Sequence, residues 1–256
     1  MGEGGFAVVK RASNVETREK VAIKIVQKTI QADQEAIALI KREIKILHLI
    51  EHFSCVSFIE SRETNESIYI VMEYVGGGDL LDCILSAHGF DEPQAAKVLR
   101  DVLRGLQYLH GIGVCHRDIK PENVLHHIQD DIWKIADFGC ATTFTTTEPL
   151  MSEFEGTIQY MAPEVLVGEK YTKAVDVWAT GVISYVSLSA CFPWEGKTDA
   201  EIQESIVGYR IKFYSPEFDE TSSDCIAFIL SLLEFNPAKR ISVEEALNHP
   251  WLKANT

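Results

Sequence analysis

The sequence predicts an α+β protein of two lobes, a small β-rich N-lobe followed by a larger α-helical C-lobe. Three observations carry this reading. The first 75 residues hold short apolar runs rich in β-branched residues. Gly76-Gly77-Gly78 is the sharpest break in the chain. Beyond it, apolar residues recur mainly at helical spacing. The predicted division is therefore 1–75 and 76–256, with a hinge at 73–78.

Each element follows from its local pattern. Residues 6–10 and 20–26 read as strands joined by a polar turn around Ser13-Asn14. Between 33 and 51, Ile37, Ile40, Ile44 and Leu47 recur at helical spacing among charged residues. Residues 56–61 and 67–74 read as a hairpin around Glu63-Thr64-Asn65-Glu66. Helices are predicted over 79–87, 92–111, 174–189, 199–207, 222–233 and 242–249. The longest apolar stretch, 177–192, contains Thr180, Ser184, Ser187 and Ser189, which fits a buried helix and not a membrane span.

Composition narrows the functional classes. A length of 256 residues suits one large domain or two small lobes around a cleft. The formal net charge of −14 argues against nucleic acid or an anionic membrane as a partner. It is compatible with a basic peptide substrate, although an acidic surface also simply aids solubility. Six cysteines are scattered without a C-x-x-C pair, so neither a zinc site nor a disulfide framework is expected. A reducing compartment, cytoplasmic or nuclear, fits that usage. The start, Met1-Gly2-Glu3-Gly4-Gly5, lacks the features of a signal peptide. The pairs His48/His52 and His126/His127 have metal-compatible spacing, but surface or packing roles are expected for them.

The densest chemistry lies in His116-Arg117-Asp118-Ile119-Lys120-Pro121-Glu122-Asn123. This short loop carries a carboxylate, an amine and a carboxamide. Asp137-Phe138-Gly139 begins nineteen residues after Asp118. A general base, a cation, a metal-binding amide and a second metal-binding carboxylate are the parts needed to move a phosphoryl group from a magnesium nucleotide to a hydroxyl.

This pattern resembles the catalytic loop of eukaryotic-type protein kinases, and Lys120 points to the serine/threonine branch. Other motifs agree in order. Gly2-Glu3-Gly4-Gly5-Phe6-Ala7-Val8-Val9 resembles the glycine-rich loop, with Ala7 in place of its third glycine. Val21-Ala22-Ile23-Lys24, Ile70-Val71-Met72-Glu73-Tyr74-Val75-Gly76 and Gly156-Thr157-Ile158-Gln159-Tyr160-Met161-Ala162-Pro163-Glu164 continue the likeness. The resemblance spans Gly2 to Leu252 and is greatest to the calcium/calmodulin-dependent group, protein kinase D-like or checkpoint-type.

The resemblance implies a bilobal kinase fold, ATP and Mg2+. Gly2 and Gly4 would let backbone amides approach phosphates, Phe6 would cap the loop, and Val9 and Ala22 would line the nucleotide site. Lys24 would hold the α- and β-phosphates, oriented by Glu43, with Glu35 as the alternative partner. Met72 would be the gatekeeper, and backbone groups near Glu73 and Val75 would bond the adenine edge. Asp118 would accept or orient the hydroxyl proton, and Lys120 would neutralise charge on the transferring group. Asn123 and Asp137 would bind magnesium through oxygen. His116 would pack near Phe138. Thr157 would bond Asp118 and Lys120, Glu164 would pair with Arg240 in the interior, and Asp176 would anchor the loop backbone.

Three acids, Asp79, Glu122 and Glu204, match positions that basophilic kinases use, which implies a Ser/Thr acceptor with an upstream Arg or Lys. Arg117 beside Asp118 calls for an anion from the activation segment. Counting back three from Gly156 gives Glu153, so one reading supplies a fixed carboxylate, as phosphorylase kinase is thought to do. The other uses a phosphate on Ser152 or on the Thr-rich run 142–147. A regulatory partner outside this chain is also compatible with the family. The chain starts at Met1, inside what the resemblance makes the first strand, so that strand is expected to be truncated. The alternative function is a pseudokinase or scaffold in which this truncation impairs ATP use. The complete set Lys24, Glu43, Asp118, Lys120, Asn123 and Asp137 argues against it. The segment from Gly139 to Glu164 disfavours a small-molecule kinase, and Lys120 with Thr157 disfavours a tyrosine kinase.

Overall fold

The computed structural model describes residues 3–4, 7–28, 34–145 and 151–255, with the side chains of 3, 4 and 34–36 left aside. The expectations for Gly2, Gly5, Phe6, Thr146, Thr147 and the Glu35 side chain lie outside the described residues.

The N-terminal part is one antiparallel sheet and a helix. Its strands are β1 (Glu3–Gly4), β2 (Ala7–Ser13), β3 (Lys20–Gln27), β4 (Phe58–Glu63) and β5 (Ser67–Glu73), in the order β1-β2-β3-β5-β4. The short β1 pairs with β2 through Glu3↔Val8 and Gly4↔Ala7. Strand β2 runs to Ser13, beyond the expected 6–10, because Ala12↔Val21 and Ser13↔Lys20 continue the ladder. The chain turns at Asn14, as expected, and its Oδ1 accepts from the amides of Glu16 and Thr17 at 2.9 and 3.2 Å.

Helix α1 (Gln34–Leu47) lies between β3 and β4. Ile37, Ile40 and Ile44 pack against the core that Leu47 enters, so the apolar stripe read from the sequence is the buried face. The helix stops at Leu47, short of the expected 51. Glu43 is 3% exposed, at the edge of that stripe.

Strand β5 ends at Glu73, and the glycine run then crosses to the second lobe. The Gly77 amide donates to the His126 carbonyl at 2.9 Å, and the His126 amide to the Gly78 carbonyl at 3.0 Å. A Cβ on Gly77 would meet the His126 carbonyl oxygen at 2.4 Å, so this approach requires glycine.

The C-terminal part is mainly helical. It contains α2 (Leu80–Ala87), α3 (Glu92–Gly111), α4 (Pro163–Leu166), α5 (Ala174–Ser189), α6 (Asp199–Val207), α7 (Ser223–Leu232), α8 (Val243–Leu247) and α9 (Pro250–Ala254). Caps set several starts. Asp91 and Gln94 form a capping box on α3, as Ser242 and Glu245 do on α8. Helix α5 is buried almost all round. Three of its hydroxyls, those of Thr180, Ser184 and Ser189, donate to carbonyls four residues back at 2.8–2.9 Å. Among the described residues no helix is long and apolar enough to cross a membrane.

Sequence patterns did not reveal four short strands. These are β6 (Val114–Cys115) with β9 (Thr142–Thr143), and β7 (Val124–His127) with β8 (Ile132–Ile135). The β7–β8 hairpin frames the segment from Asn123 to Asp137 and so positions the site. The four paired histidines take packing or surface roles. His48 meets Phe58, His52 stacks on Tyr108, His126 stacks on Trp133, and His127 pairs with Asp130.

Candidate active site

One face of the sheet gathers the expected nucleotide-site residues. Val9 lies opposite Lys24 across β2 and β3, and Ala22 lies opposite Met72 across β3 and β5. Directly opposed residues and residues two apart share a face. Val9, Ala22, Lys24 and Met72 therefore project from the same side, with Glu73 closing the strand.

Lys24 connects this face to the helix and to the second lobe. Its Nζ lies 2.8 Å from Glu43 Oε1 and 3.1 Å from Asp137 Oδ1. Burial alone pulls the ammonium pKa down, but Glu43 and then Asp137 more than offset this, so Lys24 is held charged above its ordinary value. Burial also acts against the Asp137 carboxylate, yet Lys24, His116 and the Gly139 amide hold it below the usual range. Asp137 has φ +55° and keeps a side chain 53% exposed.

The catalytic-loop residues converge on one carboxylate. Thr157 Oγ1 donates to Asp118 Oδ1 at 2.9 Å, and Lys120 Nζ lies 2.7 Å from Asp118 Oδ2. Lys120 also donates to Thr157 Oγ1 at 2.8 Å, closing a triangle. Asn123 Nδ2 donates to the Asp118 carbonyl and to its Oδ2, at 2.8 and 3.1 Å. A carboxylate offers about four lone-pair sites. Thr157, Lys120 and Asn123 occupy three, which leaves one on Oδ1 for an incoming hydroxyl. Gly156 has φ +112°, and a Cβ there would meet the Arg117 carbonyl at 2.6 Å, so glycine is needed to bring Thr157 against this loop.

Buried anchors hold the loop from behind. Asp176, 1% exposed, accepts from the amides of His116 and Arg117 at 3.0 and 2.8 Å, and its Oδ2 lies 2.8 Å from His110 Nε2. Burial opposes its charge, but His110 and then His116, including the His116 amide, depress its pKa. His116 is fully buried, edge-on to Phe138 with centroids 5.1 Å apart. Arg117 has φ +67°, and its Nη1 reaches Glu153 Oε2 at 2.9 Å and the Tyr171 hydroxyl at 3.2 Å. Tyr171 in turn donates to the Glu153 carbonyl at 2.7 Å. The Glu153 pKa is lowered by its own backbone amide and then by Arg117 and Arg42. Farther away, Arg240 makes a bidentate pair with Glu164 at 2.8 and 3.0 Å, fully buried.

The chain matches the protein kinase domain over residues 1–252. This chain belongs to the protein kinase family. It is 38% identical over 255 residues to a serine/threonine-protein kinase H1 homolog from Danio rerio, covering 98% of this chain and 60% of that protein. It is 36% identical to serine/threonine-protein kinase H1 of Mus musculus, covering 98% of this chain and 59% of the relative. It is also 36% identical to myosin light chain kinase A of Dictyostelium discoideum, covering 100% of this chain and 86% of that protein. The chain thus spans about 60% of the length of the first two curated relatives.

Within this kinase domain the structure brings together Val9, Ala22, Lys24, Glu43, Met72, Asp118, Lys120, Asn123, Asp137 and Thr157. Glu73 and Val75 lie at the hinge. The protein kinase family uses ATP and, generally, Mg2+, and the residues present fit both. Asn123 spends its amide nitrogen on Asp118, which leaves its oxygen for a hard cation. Asp137 Oδ1 accepts from Lys24 and the Gly139 amide, which leaves Oδ2.

The three acids expected to read a basic substrate are placed unequally. Asp79 Oδ1 accepts from the Asp82 amide at 2.9 Å and caps α2, so one oxygen is committed. Glu122 is exposed and, together with Asp118, lies near the Tyr160 phenol. Glu204 is exposed and 3.8 Å from Arg210. Sequence reasoning missed Tyr171, His110 and Lys134. Each meets its partner through tertiary contact at a separation of tens of residues, which no local spacing reports.

Proposed function

We propose that this chain transfers the γ-phosphoryl group of ATP to serine or threonine hydroxyls of protein substrates. The observation that carries the reading is the closed cluster in which Lys120, Thr157 and Asn123 all address Asp118. Asp118 Oδ1 is placed to take or orient the proton of the incoming hydroxyl. Lys120, 2.7 Å from that carboxylate, offers its charge to the transferring group. Lys24, held charged between two carboxylates, suits the α- and β-phosphates. Magnesium, when bound to the nucleotide, supplies charge neutralisation on the phosphates, and Asn123 and Asp137 would hold it.

Thr157 supports Ser/Thr specificity through its bonds to Lys120 and Asp118. The relatives' names carry the same specificity. Glu122, with one free oxygen of Asp79 and with Glu204, supports a preference for Arg or Lys upstream of the acceptor. Glu153 on Arg117 supports activity without phosphorylation of the activation segment. Peptides that differ only in a Ser, Thr or Tyr acceptor, each with and without upstream Arg, test these readings. Transfer to Ser and Thr but not Tyr is expected, with a clear loss when Arg is replaced. Equal transfer without Arg removes the basic preference. A scaffold with impaired ATP use would transfer nothing and show little or no MgATP shift in a thermal-shift experiment. Asp137→Asn should remove both the MgATP shift and the transfer.

A further inference from the structure

Lys134 takes no part in the reaction proposed above, yet it is 7% exposed in the seam between the lobes. Its Nζ donates to both carboxylate oxygens of Glu73, at 2.8 and 2.9 Å. Glu73 ends β5 at the hinge, and Lys134 sits on β8, three residues before Asp137. Glu73 is further fixed by Ser57, whose amide donates to its Oε1 at 2.7 Å and whose carbonyl accepts its amide at 3.0 Å. Strand β8 is stitched to the same segment. The Ile135 amide donates to the Ser54 carbonyl and the Val56 amide to the Ile135 carbonyl, both at 2.8 Å.

Two charges withdrawn from water cost free energy unless each satisfies the other. Here each is satisfied, and the pair spans the lobe boundary. One end sits on the backbone that faces the adenine edge in the kinase reading. The other sits on the strand that delivers Asp137. The pair therefore sets the position of the hinge relative to the phosphate end of the cleft.

We infer that Lys134 is a positioning residue for nucleotide recognition, acting through Glu73 to hold the hinge backbone in the geometry that receives the adenine. This rests on the kinase reading. Lys134→Met keeps the aliphatic stem and removes the charge. It is expected to raise KM for ATP about tenfold, the scale of a lost charge-assisted hydrogen bond, with kcat changing less than KM. ADP affinity by calorimetry should weaken by a similar factor, and Lys134→Arg should restore most of both. If Lys134→Met does not fold, Glu73→Gln keeps an acceptor for the Ser57 amide and should give a smaller change of the same kind. A lower Tm with unchanged KM and ADP affinity would overturn the inference and leave the pair a fold staple. A fall in kcat alone would overturn it too. Wild-type protein that binds ADP but transfers no phosphate would refute the kinase activity, while the ADP measurements would still decide the role of Lys134.

Discussion

At the residue scale, the Arg117–Glu153 contact bears on the proposal that the site works without phosphorylation of the activation segment. An arginine next to Asp118 and largely buried needs an anion, and Glu153 supplies one at 2.9 Å. Protein treated with a phosphatase should therefore keep its rate of peptide phosphorylation. Glu153→Ala should lower kcat/KM about tenfold, the scale of a charge-assisted hydrogen bond left unmade. Abolition of activity by the phosphatase alone would instead place the anion on a phosphorylated residue such as Ser152. Sequence spacing reached this pair by counting back from Gly156. It did not reach Tyr171, which braces both partners from another segment. Nor did it foresee that Asp79 would spend an oxygen on capping α2, because the same residue type serves a cap and a substrate contact equally well.

At the element scale, the long amphipathic pieces were legible and the short ones were not. The spacing of Ile37, Ile40, Ile44 and Leu47 gave α1 and placed Glu43 at its buried edge, because a 3.6-residue period leaves a mark over three turns. The pairs β6–β9 and β7–β8, and the short α4 and α9, are too brief to leave any period and form only in tertiary context. Helix α4 is tied in through Glu164, whose pair with Arg240 is buried while that guanidinium lies 5.0 Å over the Trp178 ring. Glu164→Gln or Arg240→Met should cost about 3–5 kcal/mol, because each leaves a partner unpaired in the interior. Denaturant unfolding measures this. A double replacement by apolar residues should cost less than the two single changes summed.

At the scale of the whole molecule, two lobes meet at a hinge that the Gly76-Gly77-Gly78 run announced, and long-range polar contacts lock the catalytic loop between them. Asp176, 1% exposed, is one of these anchors, and its pH dependence has a definite sign. Its folded pKa lies below the unfolded value of about 3.9. The stability it contributes is thus full above that value and is lost as pH falls through the folded pKa. Below the pI near 5.0 the net charge is positive and grows as pH falls, so self-repulsion destabilises the fold over the same range and a variant must isolate the effect. Asp176→Asn should be less stable than wild type near neutrality and lose less stability on acidification, read as unfolding free energy against pH. The central claim is that the groups around Asp118 perform phosphoryl transfer. Its most direct test is a single-turnover measurement of transfer from MgATP to a serine peptide with upstream arginine, comparing wild type with Asp118→Asn. The account predicts transfer by the wild type and a rate about 10²–10⁴-fold lower in the variant, the usual contribution of a positioned general base. Equal rates in the two proteins, or no transfer by wild type that demonstrably binds MgATP, would contradict it.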